Sequence, residues 1–326
     1  MSVDYIHWLR QRIGHQRTII VYASLVALDS QGRVLLQQRA DTHTWGLPGG
    51  ILEPGEGLLA CARRELKEET GLSIGELRLV GLYTGPRYNG AYPNGDLVQQ
   101  YTVCFTGALV AGELAPDPEE SLALAYFTPE QLAHLPLPVF YADMLRDAWR
   151  VRQGAAPFYE PPQAAEPLVN VIDQVRPHIG TAPYIGAAAA AAVLDEAGRL
   201  LVVRRSDNGE WSIPGGYMHL GETVAHAAQR EVREETGLEI EPLALLGISA
   251  LVRPWVYPNG DQAYAVIAMF RARVTGGSPQ PDRLEVNEIG WMTCDELLAV
   301  NTHPNLQAIN RAVVQALQRP GAPYVI

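Results

Sequence analysis

Three glutamates, Glu65, Glu68 and Glu69, are spaced so that a helix would gather them on one face. At 100° per residue they point to within about 100° of one another. Carboxylates held that close repel, and each raises the pKa of its neighbours. A hard divalent cation relieves the repulsion, and carboxylate oxygens are what Mg2+ and Mn2+ prefer. Arg64 stands four residues before Glu68, where ion pairing would hold the cluster's shape. Upstream, Trp45-Gly46-Leu47-Pro48-Gly49-Gly50 is rigid at its proline and permissive at its paired glycines, so its backbone can approach a metal, an anion, or both. A cation on a helix face beside such a loop is the layout for metal-assisted attack of water on a phosphoanhydride. A Glu/Arg-rich helical face met alone is ordinarily solvated surface laced with i,i+4 ion pairs. This one is not met alone.

The pattern Gly50-x5-Glu56-x7-Arg64-Glu65-Leu66-x-Glu68-Glu69-x-Gly71-Leu72 recurs as Gly216-x5-Glu222-x7-Arg230-Glu231-Val232-x-Glu234-Glu235-x-Gly237-Leu238, with every fixed position 166 residues later. Trp211-Ser212-Ile213-Pro214-Gly215-Gly216 repeats the loop. Both stretches resemble the Nudix box, and the chain is identified as a tandem of two Nudix hydrolase domains. The resemblance implies an α/β fold: two tandem α/β/α sandwich domains, each with a mixed β-sheet. It also implies Mg2+ or Mn2+ as cofactor, and substrates that are mostly nucleoside diphosphates linked to another moiety. Carried over by position, Glu65 and Glu69 are the main metal ligands, with Glu68, Glu56 and Gly50 assisting. In the second copy Glu231, Glu235, Glu234, Glu222 and Gly216 take the same roles, and Arg64 and Arg230 orient the carboxylates. Neither box departs from the pattern.

The elements that must position these groups are legible from the repeat. Leu58 to Thr70 lacks Pro and Gly, carries good helix formers and stops at Gly71, with Leu58, Ala62 and Leu66 as an apolar stripe for packing on a sheet. A short helix should open each domain and end at Gly14 or Gly180. Ile19 to Leu28 and Val34 to Arg39 read as a strand pair around Asp29-Ser30-Gln31-Gly32, as do Ile185 to Leu194 and Leu200 to Arg205 around Asp195-Glu196-Ala197-Gly198. The six alanines Ala187 to Ala192 favour helix by propensity. The repeat register makes them strand, and the register is followed here. Small side chains there either let another element approach or are simply tolerated. Residues 1–155 form the first domain, 156–170 a Pro/Ala-rich linker and 171–326 the second domain. The two domains of such a tandem pack as a pseudo-dimer in one reading, since many family members are homodimers.

Tyr92-Pro93-Asn94-Gly95-Asp96 and Tyr257-Pro258-Asn259-Gly260-Asp261 are strong turn chemistry, read either as plain hairpin turns or as a hairpin over the substrate. Before them, Arg87 with Tyr88 and Arg253 with Trp255 are candidates to bind a terminal phosphate and stack a base. The general base is open between box glutamates and acids of a later loop: Glu119 or Glu120 in the first domain, Glu285 or Glu288 in the second. Glu120 pairs with Glu285 by alignment, and Ala123 falls opposite Glu288. Pro254 lies sixteen residues past Leu238, a spacing that resembles ADP-ribose pyrophosphatases. Tyr88 lies sixteen past Leu72, as in dinucleoside polyphosphate hydrolases.

A net charge of −11 over 326 residues argues against general nucleic-acid binding. Cys61, Cys104 and Cys294 show neither CxxC nor zinc spacing and read as reduced cytosolic thiols. No signal peptide and no apolar run of about 18 residues are present, so neither secretion nor a membrane span is expected. The expectation is a cytoplasmic, Mg2+-dependent hydrolase of the pyrophosphate bond in nucleoside diphosphate derivatives, one site per domain. ADP-ribose or a nucleotide sugar is favoured, with (d)NTP or dinucleoside polyphosphate hydrolysis as the enzymatic alternative. A tandem that senses nucleotide without turnover is the rival from another class.

Overall fold

The computed structural model describes residues 4–300, 303–319 and 321–326. The chain divides into two compact units, Met1–Tyr159 and Glu160–Ile326.

In the first unit the opening helix, Tyr5–Ile13, starts at Asp4, whose carboxylate accepts from the Ile6 N–H (3.0 Å). Thr18–Leu28 runs parallel to Leu97–Gly112 and antiparallel to Gly49–Ile51. A central strand covered on both faces reads as a continuous apolar run, and nearly every residue of this one is buried. Arg78–Tyr83 extends the sheet beside Leu97–Gly112, and Val34–Arg39 lies between Ser121–Phe127 and Trp45–Gly46. The expected pairing of the first two strands is confined to the turn, at Leu28 and Val34. Beyond it they part, because Thr18–Leu28 spends its hydrogen bonds on other neighbours. Val26 and Leu28 pack with Met144, Leu145 and Ala148 of the Val139–Arg152 helix. The carboxylate helix has the expected bounds, Leu58–Thr70, and its stripe Leu58, Ala62 and Leu66 is fully buried. Each such leucine contributes roughly 1.5–3 kcal/mol.

The second unit repeats the order: Val171–Ile179, Tyr184–Val193, Leu200–Arg205, Gly215–Tyr217, Val224–Thr236, Leu238–Ala250, Gln262–Gly277, Val286–Met292 and Pro304–Gln318. The six alanines are strand, buried throughout and parallel to Gln262–Gly277. The smallness of Ala188 has a local cause. Ala188 faces Tyr217 across an antiparallel pair, whereas the first unit pairs Tyr22 with Ile51 at the same place. One tyrosine is therefore supplied from either of two neighbouring strands. In both units its hydroxyl meets that of the turn tyrosine, Tyr22 with Tyr92 (3.1 Å) and Tyr217 with Tyr257 (3.2 Å). The turns are tied to the opening helices by ion pairs, Asp96 with Arg10 (3.4 Å) and Asp261 with Arg176 (3.5 Å).

Residues 156–170 are not a free linker. Phe158 exchanges backbone hydrogen bonds with Val80 and Leu82 (2.9 Å each), lying where a Cβ on Gly81 would come within 2.6 Å of its carbonyl oxygen. Tyr324 repeats this at Gly247, 166 residues on. Each unit thus closes with a segment laid across a glycine, a single bridge at Phe158 in the first and the strand Tyr324–Val325 in the second. Ala164–Asn170 is already a strand of the second unit, antiparallel to His219–Glu222. No helix among the described residues is long and apolar enough to cross a membrane.

Candidate active sites

In the first unit the helix turns Glu65 and Glu69 inward and leaves Glu68 outward, with side-chain exposures of 13% for Glu65 and 58% for Glu68. Glu65 lies directly on Gly50, where a Cβ would meet its carboxylate at 2.3–2.4 Å. Glu69 accepts from the Gly49 N–H (2.8 Å) and from Gln37 Nε2 (2.7 Å), and the Ser121 hydroxyl donates to Gln37 Oε1 (2.6 Å). Arg64 joins the remaining acids, bonding Glu56 (2.8 and 2.9 Å), Glu65 (2.7 Å) and Glu68 (3.0 Å). Burial pushes Glu65 up to about 7 and Glu69 up to about 8, with Glu120 adding its negative charge to both.

The second unit builds the same cluster deeper. Glu231 lies on Gly216, where a Cβ would be 2.6–2.7 Å from its carboxylate, and Glu235 accepts from the Gly215 N–H (2.9 Å). Arg230, with a side chain only 4% exposed, donates to Glu222, Glu231 and Glu234 at 2.8 Å each. Burial pushes Glu231 up to about 7 and Glu235 well above the carboxylate range. Burial also pushes Glu222 upward, but the hydrogen bonds and charge of Arg230 outweigh it and hold this acid low. Val203 stands at the position of Gln37, so Glu235 lacks that amide donor.

Among the described residues no three acidic, histidine or cysteine side chains form a ready-made metal cluster. The inward-facing set is a pair in each unit, both members lying on the paired glycines of the loop, with the arginine bonded to the first of them. Two buried carboxylates with raised pKa values need a positive charge between them. Mg2+ keeps several of its waters, so one or two carboxylates suffice to bind it. On that chemistry Glu65 with Glu69, and Glu231 with Glu235, fit a hard divalent cation.

A cavity of about 550 Å3 opens beside the second cluster. Its lining includes the charged side chains of Arg205, Glu231, Glu234 and Glu285 and the apolar ones of Ile213, Ile267, Met269 and Ile309. Trp255 also lines it, its ring packed on His303 (4.1 Å between centroids). A cavity of about 570 Å3 in the first unit, at Arg78, Trp149 and Arg152, holds none of the box carboxylates.

The other sequence candidates separate. Tyr88 is a core side chain, 3% exposed, whose hydroxyl donates to Asp143 (3.0 Å), and Arg87 pairs with the same acid (2.8 Å). Arg253 is exposed on a bend and does not line the cavity. Glu288 is in a surface ion pair with Arg204 (3.0 Å), away from the lining, because strand alternation turns it out beside Arg204. Its near neighbour Glu285 lines the cavity and raises Glu231 and Glu235 further, as Glu120 does in the first unit. Gln37, Ser121 and Asn310 were not singled out from sequence. A glutamine ending the apolar run Val34-Leu35-Leu36 was the signal available for the first.

The NUDIX domain family model matches twice, over residues 19–148 and 184–317. A MutT-like protein of Streptomyces ambofaciens is 36% identical over 123 residues, 37% of this chain and 73% of that protein. The human 8-oxo-dGDP phosphatase NUDT18 is 33% identical over 123 residues, 38% of this chain and 32% of that protein. A crystal structure of an ADP-ribose pyrophosphatase from Streptococcus suis aligns with 22% identity and a TM-score of 0.33, covering 42% of this chain and 95% of that one. With one matched domain in each compact unit, the chain belongs to the Nudix hydrolase family.

Proposed function

We propose that this protein hydrolyses a pyrophosphate bond in nucleoside diphosphate derivatives, using Mg2+ or Mn2+. The observation that carries this reading is Glu231, one of the buried carboxylate pair Glu231 and Glu235, on the lining of a cavity of about 550 Å3 that carries both charged and apolar side chains. A pyrophosphate belongs beside the charged groups and the nucleoside against the apolar ones. When bound, the cation supplies charge neutralisation of the phosphates and acidifies a water for attack. Arg230 keeps Glu231 and Glu234 aimed, Gly216 lets Glu231 lie against the backbone, and Glu285, on the cavity lining, is the group proposed to accept the water's proton. Glu65, Glu69, Arg64, Gly50 and Glu120 are the corresponding residues of the first unit, proposed for the same roles.

ADP-ribose or a nucleotide sugar is favoured within this class by the Pro254 spacing. The name of the human relative, an 8-oxo-dGDP phosphatase, favours a second reading, a purine nucleoside phosphate with a modified base. Mg2+-dependent turnover by the intact protein across ADP-ribose, nucleotide sugars, dinucleoside polyphosphates, (d)NTPs and 8-oxo-dGDP decides between them. Turnover of none of these rejects the proposal.

A further inference from the structure

The cavity of the second unit holds a polar group that the carboxylate chemistry does not use. Asn310, on the Pro304–Gln318 helix, is 2% exposed and lines the cavity, and its Nδ2 has no hydrogen-bond partner within the protein. A buried donor left unpaired is destabilising, so each such group calls for an explanation. Apolar side chains share the cavity lining with it: Leu306 one turn before it, Ile309 beside it, and Ile267 and Met269 of the sheet. Trp255 adds an aromatic wall. A planar heterocycle with a polar edge fits such a space, its faces against apolar side chains and its edge against the amide.

The first unit provides an internal comparison. The repeat offset is 165 in this region, so Leu145 corresponds to Asn310 and Tyr141 to Leu306. Leu145 and Tyr141 belong to the buried core cluster. The Tyr141 ring comes within 2.7 Å of where a Cβ on Gly46 would sit, and Ser212, which stands at that position in the second unit, lines the cavity. An aromatic ring thus fills in one unit the ground that lies open between Leu306 and Ser212 in the other.

We propose that Asn310 is a specificity-determining residue: its amide reads the edge of a nucleobase in the second unit, with Nδ2 donating to a ring carbonyl or ring nitrogen. An amide offers a donor and an acceptor side by side, the pattern that recognises an adenine edge. The first unit, with Leu145 and Tyr141, does not read a base in this way. The assignment rests on this cleft being the nucleotide site proposed above.

Titration calorimetry of the full chain in Mg2+, with AMP, GMP, CMP and ribose 5-phosphate, tests it. At least one nucleotide should bind about tenfold more tightly than ribose 5-phosphate, the scale of one buried hydrogen bond plus stacking, with one such site per chain. Asn310→Leu, the residue that the first unit tolerates at this position, should erase the difference and leave ribose 5-phosphate binding unchanged. Should that variant melt early, Asn310→Asp keeps the shape, removes the donor and should show the same loss. Unaltered base preference in either folded variant overturns the assignment, as do two base-dependent sites per chain. If nucleotides bind no better than ribose 5-phosphate while pyrophosphate bonds are still cleaved, base reading fails and the proposed function stands. If nucleotides bind through Asn310 and nothing is cleaved, the reverse holds.

Discussion

Alanine at Gly50 would place a Cβ 2.3 Å from Cδ of Glu65, and alanine at Gly216 one 2.6 Å from Cδ of Glu231. Ordinary contact begins at 3.4 Å, so the two carboxylates must retreat by about 1.1 Å and about 0.8 Å. Displacing a positioned group by about 1 Å lowers the rate on the order of a hundredfold. The atoms that yield are ends of flexible side chains, so the sheet is spared. The glycines one position earlier provide the contrast. Gly49 and Gly215 have φ of 143° and 157°, and a Cβ there would sit 2.2 and 2.4 Å from the backbone oxygens of Ala23 and Ala189, in the central strands. Backbone strain alone costs about 1–3 kcal/mol at each. The assay compares kcat/KM and melting of the double variants Gly50→Ala/Gly216→Ala and Gly49→Ala/Gly215→Ala. The first should melt near wild type and lose about a hundredfold in kcat/KM, while the second should melt early. Wild-type turnover in the first, or equally early melting in both, refutes the assignment of Gly50 and Gly216 to carboxylate placement.

The arginines of the two units should differ in their stability effects. Arg230→Met leaves Glu222, whose side chain is fully buried, without its guanidinium and with His226 (2.7 Å) beside it, a loss of about 3–5 kcal/mol. Arg64, 30% exposed above Glu56, should cost less on the same change, about 1–3 kcal/mol, and urea unfolding in EDTA that ranks them the other way contradicts the geometry. The folded-state pKa values of Glu65, Glu69 and Glu231, at about 7, 8 and 7, lie above the ordinary 4.5. A raised carboxylate contributes stability that is complete below its unfolded pKa and lost as pH rises through the folded one. Metal-free protein should therefore lose thermal stability between about pH 5 and pH 8, and Mg2+ should restore more of it at pH 8 than at pH 5. A melting temperature in EDTA that climbs over that interval is the contrary result.

The carboxylate helices were legible because one pattern supplies the ligand face, the packing stripe and the terminating glycine, and then repeats. The alanine strand was legible from register against its own propensity. The cause of Ala188 within it was not, since it lies in Tyr217, which takes across the sheet the place of Tyr22. Tyr88 resembled a stacking residue only because its partner Asp143 is 55 positions away, on the Val139–Arg152 helix. The closing segments were hidden by composition. Pro157-Phe158 reads as linker until matched with Pro323-Tyr324, 166 residues on, each laid on a glycine of the sheet. Glu285 and Glu288 are not told apart by the sequence, because strand alternation is hard to read near a turn where a register shift separates Arg204 from Arg205. Asn310 sits in an apolar helical pattern, where only burial without a partner marks it out.

On the proposed function, the inward-facing glutamates of the two helices hold the cation that drives hydrolysis. The most direct test of this claim is product release from the preferred substrate, in Mg2+, by the double variant Glu69→Gln/Glu235→Gln beside wild type. Both changes keep side-chain shape and the acceptors for the Gly49 and Gly215 N–H groups. The account predicts an unchanged fold with product release reduced by at least about a hundredfold. Turnover within a few-fold of wild type in a folded double variant would contradict it.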